Sequence, residues 1–321
     1  MKAIKKFVTL AVSALLVLSA FAGCAPAAET PAVTEAPAAT EAPVATEAPV
    51  ATEAPAPSFD TTQDIVVVSR EEGSGTRGAF IELMGVEVKQ DDGTKVDMTT
   101  AEAQITNDTA VMLTTVAGNP YGIGYISLGS LNDTVKAVQV DGVDATVANI
   151  KSGTYKVSRP FNIATKGEVS AAAQDFINFI MSAEGQEVVL GNKYIKIDDA
   201  AAAFAPAEVS GKIVVAGSSS ITPLMEKLVE AYAAVNANVT IEIQQSDSST
   251  GMQATIDGTC DIGMASRELK DSELAEGLTP TAIAMDGIAV IVNNENTFAN
   301  LTSEQIRAIF TGEVLSWSEV A

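Results

Sequence analysis

Short apolar runs alternate with helical stripes along most of this chain. Ile65–Val68 is an unbroken apolar run between polar neighbours, the pattern of a strand buried on both faces of a parallel sheet. Gly75–Met84 predicts a short helix. Ile123–Ser127, inside the Gly-punctuated segment Gly118–Leu128, predicts a strand. Val135–Gly142 predicts a strand and turn, and Arg159–Gly167 a further strand. In Ala171–Met181 the residues Phe176, Ile177 and Ile180 share one helix face. After Ile197–Lys212, which reads as a connector, a second series opens with the strand Ile213–Ala216 and the loop Gly217–Ile221. Thr222-Pro223 suits a helix start, with Thr as cap and Pro in the first turn. Leu224, Leu228, Val229 and Tyr232 form that helix's apolar stripe. Val239–Gln245 alternates as a strand, Met252–Ile256 has helical spacing, and Cys260–Ser266 runs from a strand into a loop. Ala282–Asn293 is a long apolar strand, and Thr302–Gly312 a helix with a Thr/Ser start and a Gly stop. Strands alternating with helices at this spacing predict an α/β fold with largely parallel sheets.

The first 58 residues follow another pattern. Lys2, Lys5 and Lys6 precede an apolar run from Phe7 to Ala22, then Gly23-Cys24, which reads as a secretory signal peptide over 1–23. The run is short for a membrane span. Small residues before Cys24 resemble a bacterial lipobox, making Cys24 the lipidated first residue of the mature chain; an ordinary signal peptide with a chance cysteine is the alternative. In 24–58 the tetrad Thr-Glu-Ala-Pro recurs from Thr34, Thr40, Thr46 and Thr52. Regular Pro blocks helix, and so few apolar groups cannot build a core. This segment reads as a disordered acidic tether reaching roughly 100 Å at about 3 Å per residue.

Composition narrows the chemistry. The 321 residues are 47% hydrophobic and only 5% aromatic, enough for one or two packed domains of helices on sheets. The formal charge of −22 falls to −25 without the three lysines of the signal segment. A nucleic-acid partner needs a positive footprint, and none is visible. The chain holds no His and, besides Cys24, a single cysteine, Cys260, so zinc or copper sites and His acid–base catalysis are not expected. Cys260 sits in an apolar context and reads as an inert buried thiol.

Four loops share a donor-rich composition: Arg70–Thr76, Gly217–Pro223, Ser246–Gly251 and Ala265–Glu268. Three of them stand between a strand and a helix. A helix start presents free N–H groups and a partial positive charge. Ser and Thr add hydroxyls, Gly lets the backbone approach, and Arg70 and Arg267 offer a fork suited to tetrahedral oxyanions. Taken singly, each loop is an ordinary helix cap; together they suit one small anion. The Lys of a nucleotide-binding P-loop is missing, and neither Ser74 nor Ser219 has a His to activate it, so no catalytic residues are expected.

The segments IVVVSREEGSGTRGAF, GIGYISLGSL, KSGTYKVSRPF, IVVAGSSSITPLMEKLVEAY, DIGMASRELK, AMDGIAVIVN and IRAIFTGEVLSWSEV resemble the phosphate-binding proteins of bacterial phosphate ABC transporters, the PstS family, over about 62–321. Their order differs: in the family the GSSSITP segment comes first, and WSEV runs on into IVVVSREEGSGT. The chain therefore resembles a circular permutant of the family, with a cut tandem array as the alternative. The resemblance implies a two-lobed type II periplasmic-binding-protein fold, each lobe a mixed, mainly parallel sheet flanked by helices. One lobe would be continuous over 166–288, the other split between 59–162 and 292–321, with crossings near Asn162–Thr165 and Gly287–Asn293. Carried over by motif, the phosphate contacts would be Arg70, Ser74, Gly75, Thr76, Ser219, Ser220, Ser248 and Arg267. Some members have Asp where this chain has Arg267, which leaves Asp247, Asp286 or Glu71 as substitute acceptors for the proton of hydrogen phosphate. The implied function is an extracytoplasmic, lipid-anchored monomer that delivers inorganic phosphate to an ABC permease and its ATPase, without cofactor or metal. Rivals are a binding protein for sulfate or molybdate, a sensor or other non-transport surface protein, and a phosphatase.

Overall fold

The computed structural model describes residues 59–320. The expectations for 1–23 and 24–58, Cys24 among them, lie outside the described residues. Nine strands form one mixed sheet. Its order is Val239–Ser246, Gly211–Ser218, Ile262–Ala265, Ser158–Lys166, Leu278–Val292, Gly122–Ser127, Val66–Arg70 and Gln104–Thr106, with Lys136–Ala137 also pairing with Leu278–Val292. Pairing is parallel towards both ends and antiparallel in the middle. This is the expected mixed sheet, parallel in its outer parts, with antiparallel pairing confined to the centre. There the two long strands carry the chain from one half to the other in opposite senses, so they can only pair antiparallel.

The strand Leu278–Val292 begins four residues before its sequence-based start. Pro280 and the polar alternation around it hide this first part. They are tolerated because Leu278–Gly287 pairs with Ser158–Lys166, while the ladder to Gly122–Ser127 starts only at Ile288. Pro280 thus faces no ladder on its second side.

Of the four hydrophobic clusters that flank this sheet among the described residues, two are large and gather different ends of it. The first gathers Val67, Phe80, Tyr125, Ile288, Val290, Phe310 and Trp317. Phe80 stacks on Tyr125 at 3.9 Å between centroids, and Phe310 meets Phe80 edge-on at 4.7 Å. The second gathers Phe161, Phe176, Ile213, Leu224, Tyr232, Ile262 and Ile283. On both connecting strands the change of core is abrupt: Val157 belongs to the first and Phe161 to the second, Ala284 to the second and Ile288 to the first. The waist between them is Ser158–Pro160 opposite Met285–Gly287.

The described chain closes on itself at one edge. Ile65 N donates to the Leu315 carbonyl at 2.7 Å, Asp64 bridges to Ser316, and Phe59 packs on Trp317. Helix ends follow their sequence signals at Ser303–Thr311, where Thr302 and Gln305 form a reciprocal capping box and Gly312 ends the helix at φ 76°. Thr222 departs from its expected role. Ile221 holds the cap position, and the Thr222 hydroxyl instead donates to the Ser218 carbonyl at 3.2 Å. Helices Thr109–Ala117 and Ala183–Gly191 have no counterpart in the sequence reading. They are capped by Asp108 and Ser182, and the β-branched Thr-Ala-Val-Met-Leu-Thr-Thr-Val run of the first conceals its helical character.

Candidate functional site

Five strand ends meet where the two halves face each other. They are Arg70, Thr106, Ser218, Ser246 and Ala265, and four of them are followed at once by a helix start. Parallel pairing puts the carboxyl ends of such strands on one edge, and the helix starts then point their free N–H groups at the same place.

The groups touch across the divide. Arg70 Nη2 donates to Ser219 Oγ at 3.0 Å, and the hydroxyls of Thr76 and Ser220 are 2.6 Å apart. Ser249 N donates to the Gly73 carbonyl at 3.2 Å. A Cβ on Gly75 would lie 2.5 Å from Ser248 Oγ, and one on Gly73 would collide with the Asp247 carboxylate. Only glycine lets these corners come so close. Arg70, Thr76, Ser219, Ser220 and Ser248 are all buried.

Arg70 is held on every side. Nε and Nη2 donate to the two Glu71 carboxylate oxygens at 2.8 and 2.7 Å, and Nη1 reaches Thr109 Oγ1 at 3.4 Å. Its backbone N–H donates to the Tyr125 hydroxyl at 3.2 Å, and its carbonyl accepts from Arg77 Nη1 at 2.6 Å. Tyr125 is wholly buried, which pushes its phenol up and keeps it a neutral partner.

Of the residues singled out by sequence, Arg70, Gly75, Thr76, Ser219, Ser220 and Ser248 are brought together. Ser74 lies in the same corner, but its hydroxyl caps its own helix, accepting from Arg77 N at 3.3 Å. Arg267 is not brought in. Its fork is taken by Glu273 at 2.7 and 2.9 Å, and Nη2 also reaches Ser249 Oγ at 3.2 Å. Burial pushes the Glu273 carboxyl up, but Arg267 and the Lys270 N–H outweigh it and hold it below the ordinary carboxylate range.

The three substitute acceptors are also placed. Asp247 caps the helix Ser248–Ile256, with both oxygens engaged by Thr250. Asp286 sits in the waist, paired with Arg159. Glu71 is at the site, with both oxygens on Arg70. Two buried members of the cluster were not singled out by sequence, although Ser266 lies in the donor-rich loop Ala265–Glu268. Thr109 Oγ1 is 3.5 Å from both Ser219 Oγ and Ser220 Oγ. Ser266 links Ser218 and Ser248 through its hydroxyl at 2.9 and 3.5 Å, while its N–H donates to Ser248 Oγ at 3.1 Å. Recognition of the capped helix after Asp108 would have found Thr109.

A split sheet with hydroxyls, helix starts and one guanidinium converging between its halves defines a solute-binding protein, and the sequence matches the PBP superfamily domain over residues 58–184 and 202–321. The chain is 58% identical over 258 residues to the phosphate-binding protein PstS 2 of Streptococcus agalactiae, spanning 80% of this chain and 88% of that protein. It aligns with the crystal structure of a phosphate ABC transporter phosphate-binding protein from Streptococcus pneumoniae at a TM-score of 0.65 and 45% identity, covering 81% of this chain and 100% of that one. The phosphate-binding protein PstS of Pseudomonas aeruginosa is 37% identical over only 118 residues, 35% of this chain and 36% of that protein. This chain belongs to the PBP superfamily and, within it, to the PstS family.

Proposed function

We propose that this chain is an extracytoplasmic binding protein, not an enzyme, that takes up one inorganic phosphate between its two cores and delivers it to an ABC permease and its ATPase. The observation that carries this reading is the direct contact of Arg70 and Thr76, from one half, with Ser219 and Ser220, from the other. A small tetrahedral anion between these corners takes up hydrogen bonds from both halves at once and so favours their closed arrangement. Asp247 is committed to its helix cap and Asp286 to the waist, while Glu71 stays at the site on Arg70. The proton of hydrogen phosphate goes to a free lone pair of Glu71 or to hydroxyl oxygens of the cluster, which accept as readily as they donate.

We read the two cores as two lobes that move as rigid bodies about the waist, with the crossings at Ser158–Pro160 and Met285–Gly287, a few residues before those expected near Asn162–Thr165 and Gly287–Asn293, so that Phe161 falls in the second lobe and not in the expected 59–162 part of the first. Attachment to the cell membrane rests on Cys24 and the tether. Among the described residues no helix is long and apolar enough to cross a membrane. The segment order is a circular permutation of the family's other arrangement. Two observations support this. The Streptococcus agalactiae relative aligns through 258 residues and the Pseudomonas aeruginosa relative through 118. Residues Asp64-Ile65 also lie hydrogen-bonded beside Leu315-Ser316, where a direct join in the other order would fall.

Calorimetric titration with phosphate, sulfate and molybdate tests the proposal. One phosphate per chain is expected, bound more tightly than the other two. If none binds, or if sulfate binds best, the assignment fails. The same titration checks Thr109: replacing it by Val is expected to weaken phosphate about ten-fold by loss of one buried hydroxyl, whereas Thr109→Ser keeps most of the affinity. Equal binding by Thr109→Val would remove this residue from the site.

A further inference from the structure

We propose that Arg159 and Asp286, which lie in the waist and outside the hydroxyl cluster, are positioning residues that set the angle at which the two halves of the phosphate site meet. The inference rests on the phosphate reading above and adds to it a control point away from the ligand.

The position of the pair is the first support. Arg159 and Asp286 are direct register partners on the two strands that join the cores, at the level where both strands change core. Their side chains are 2% and 0% exposed. No other ion pair among the described residues is so deeply enclosed. A charge pair is a costly way to fill such a place, since well-packed apolar side chains of similar volume commonly hold a fold as well or better.

The partners of the pair come from both sides. Arg159 Nη2 and Nε reach Asp286 Oδ2 at 3.2 and 3.4 Å. Ser127, at the end of a first-core strand, donates to Asp286 Oδ1 at 2.9 Å. Tyr194, a second-core residue, presses its ring against the first half at Gly129, where any Cβ would overlap it. Turning one core against the other must change these contacts.

The cluster is also incompletely bonded. Arg159 Nη1 and the Tyr194 hydroxyl are buried without a hydrogen-bond partner within bonding geometry. Buried polar atoms are nearly always satisfied, so two spare groups at this pair, Arg159 Nη1 and the neighbouring Tyr194 hydroxyl, mark a network that has a second arrangement available. The arrangement in hand leaves Asp286 poorly hydrated. Burial pushes its carboxyl up to about 6, against the opposing pull of Arg159 and Ser127. The other groups facing the pair do not titrate below this range. Tyr155 and Tyr194 are pushed up by burial and by Asp286 itself, while burial, with Arg70 adding to it, lowers Arg159 against the pull of Asp286.

The sign of the proton effect follows from linkage. The closed arrangement holds the Asp286 proton more tightly than an open, wetter one would. Protons therefore favour closure as pH falls through about 6. If opening returns Asp286 to an ordinary carboxylate, moving from about pH 7.5 to about pH 5.5 shifts the closed-to-open ratio about four-fold.

Small-angle X-ray scattering of the full chain without phosphate reads this directly, free of phosphate's own ionisation. The expected result is a profile nearer the phosphate-saturated one at pH 5.5 than at pH 7.5. The double variant R159M/D286L, whose apolar pair keeps the waist filled, is expected to lose that shift and to bind phosphate at least ten-fold more weakly at pH 7.5. Its profile with saturating phosphate should still be compact. A wild-type profile that ignores pH overturns the proposal, whether or not the double variant folds. So does a folded double variant with wild-type affinity. If wild type binds no phosphate at all, the functional reading fails instead, and the ligand-free pH response still reports on the waist.

Discussion

Arg70→Ala is expected to weaken phosphate binding roughly 100- to 1000-fold, the loss of one or two charge-assisted hydrogen bonds in a buried site. Among the described residues Arg70 is the one guanidinium that donates to Ser219 of the hydroxyl cluster, across the divide. The Glu71 carboxylate fixes its fork, so the guanidinium does not have to be ordered when the ligand arrives. The variant leaves Glu71 unpaired, but that side chain is 22% exposed and stays partly hydrated. Folding should therefore suffer less than binding. Arg70→Lys keeps the charge and loses the fork, and is expected to recover only part of the affinity. Arg267→Ala provides the contrast. Its guanidinium is committed to Glu273, so affinity should change by no more than a few-fold while the melting temperature drops. Isothermal titration of the three variants against wild type decides the matter. Near-wild-type binding by Arg70→Ala would mean that the anion lies elsewhere.

The contrast between these two arginines shows where sequence reading stops. Both stand in donor-rich loops after a strand, and composition does not separate them. What separates them is the nearest carboxylate. Glu71 orients Arg70 towards the cluster, whereas Glu273, six residues along the chain, draws Arg267 onto its own helix. The corner loops themselves were legible because Gly, Ser and Thr are used there for chemical reasons that hold locally. The same holds for the helices at Ala171–Met181 and Ser303–Thr311, whose apolar spacing and caps coincide. Thr109 was hidden by a β-branched helix. The waist was hidden for a different reason: Arg159 and Asp286 are 127 residues apart, and in sequence Arg159 is only the first residue of a strand and Asp286 only one of three candidate proton acceptors. Only the register of the two central strands brings them together.

Gly75→Ala tests the closeness of the corners, and it should separate binding from folding. Gly75 opens the helix Gly75–Leu83 and is not among the residues with positive φ, so alanine suits its backbone. Alanine in place of glycine within a helix also costs less chain entropy, so the ligand-free protein should melt no lower than wild type. The added methyl, however, would meet Ser248 Oγ at 2.5 Å, Ser266 Oγ at 2.8 Å and the Ser266 backbone carbon at 3.0 Å, all from the opposite half. A serine hydroxyl can rotate away, but the backbone carbon of a buried residue at the end of a strand cannot. Overpacking of this kind costs about 1–3 kcal/mol, which would fall almost entirely on the closed state. Phosphate affinity is therefore expected to drop roughly 5- to 150-fold, and the rise in melting temperature at a fixed phosphate concentration should shrink with it. Gly78→Ala, three residues along the same helix, is the control. There a methyl would meet only Arg267 Cδ at 3.8 Å, an ordinary contact, and binding should be unchanged. Equal affinities for Gly75→Ala and Gly78→Ala would show that phosphate is held with the two halves further apart than the contacts between Arg70, Thr76, Ser219 and Ser220 require.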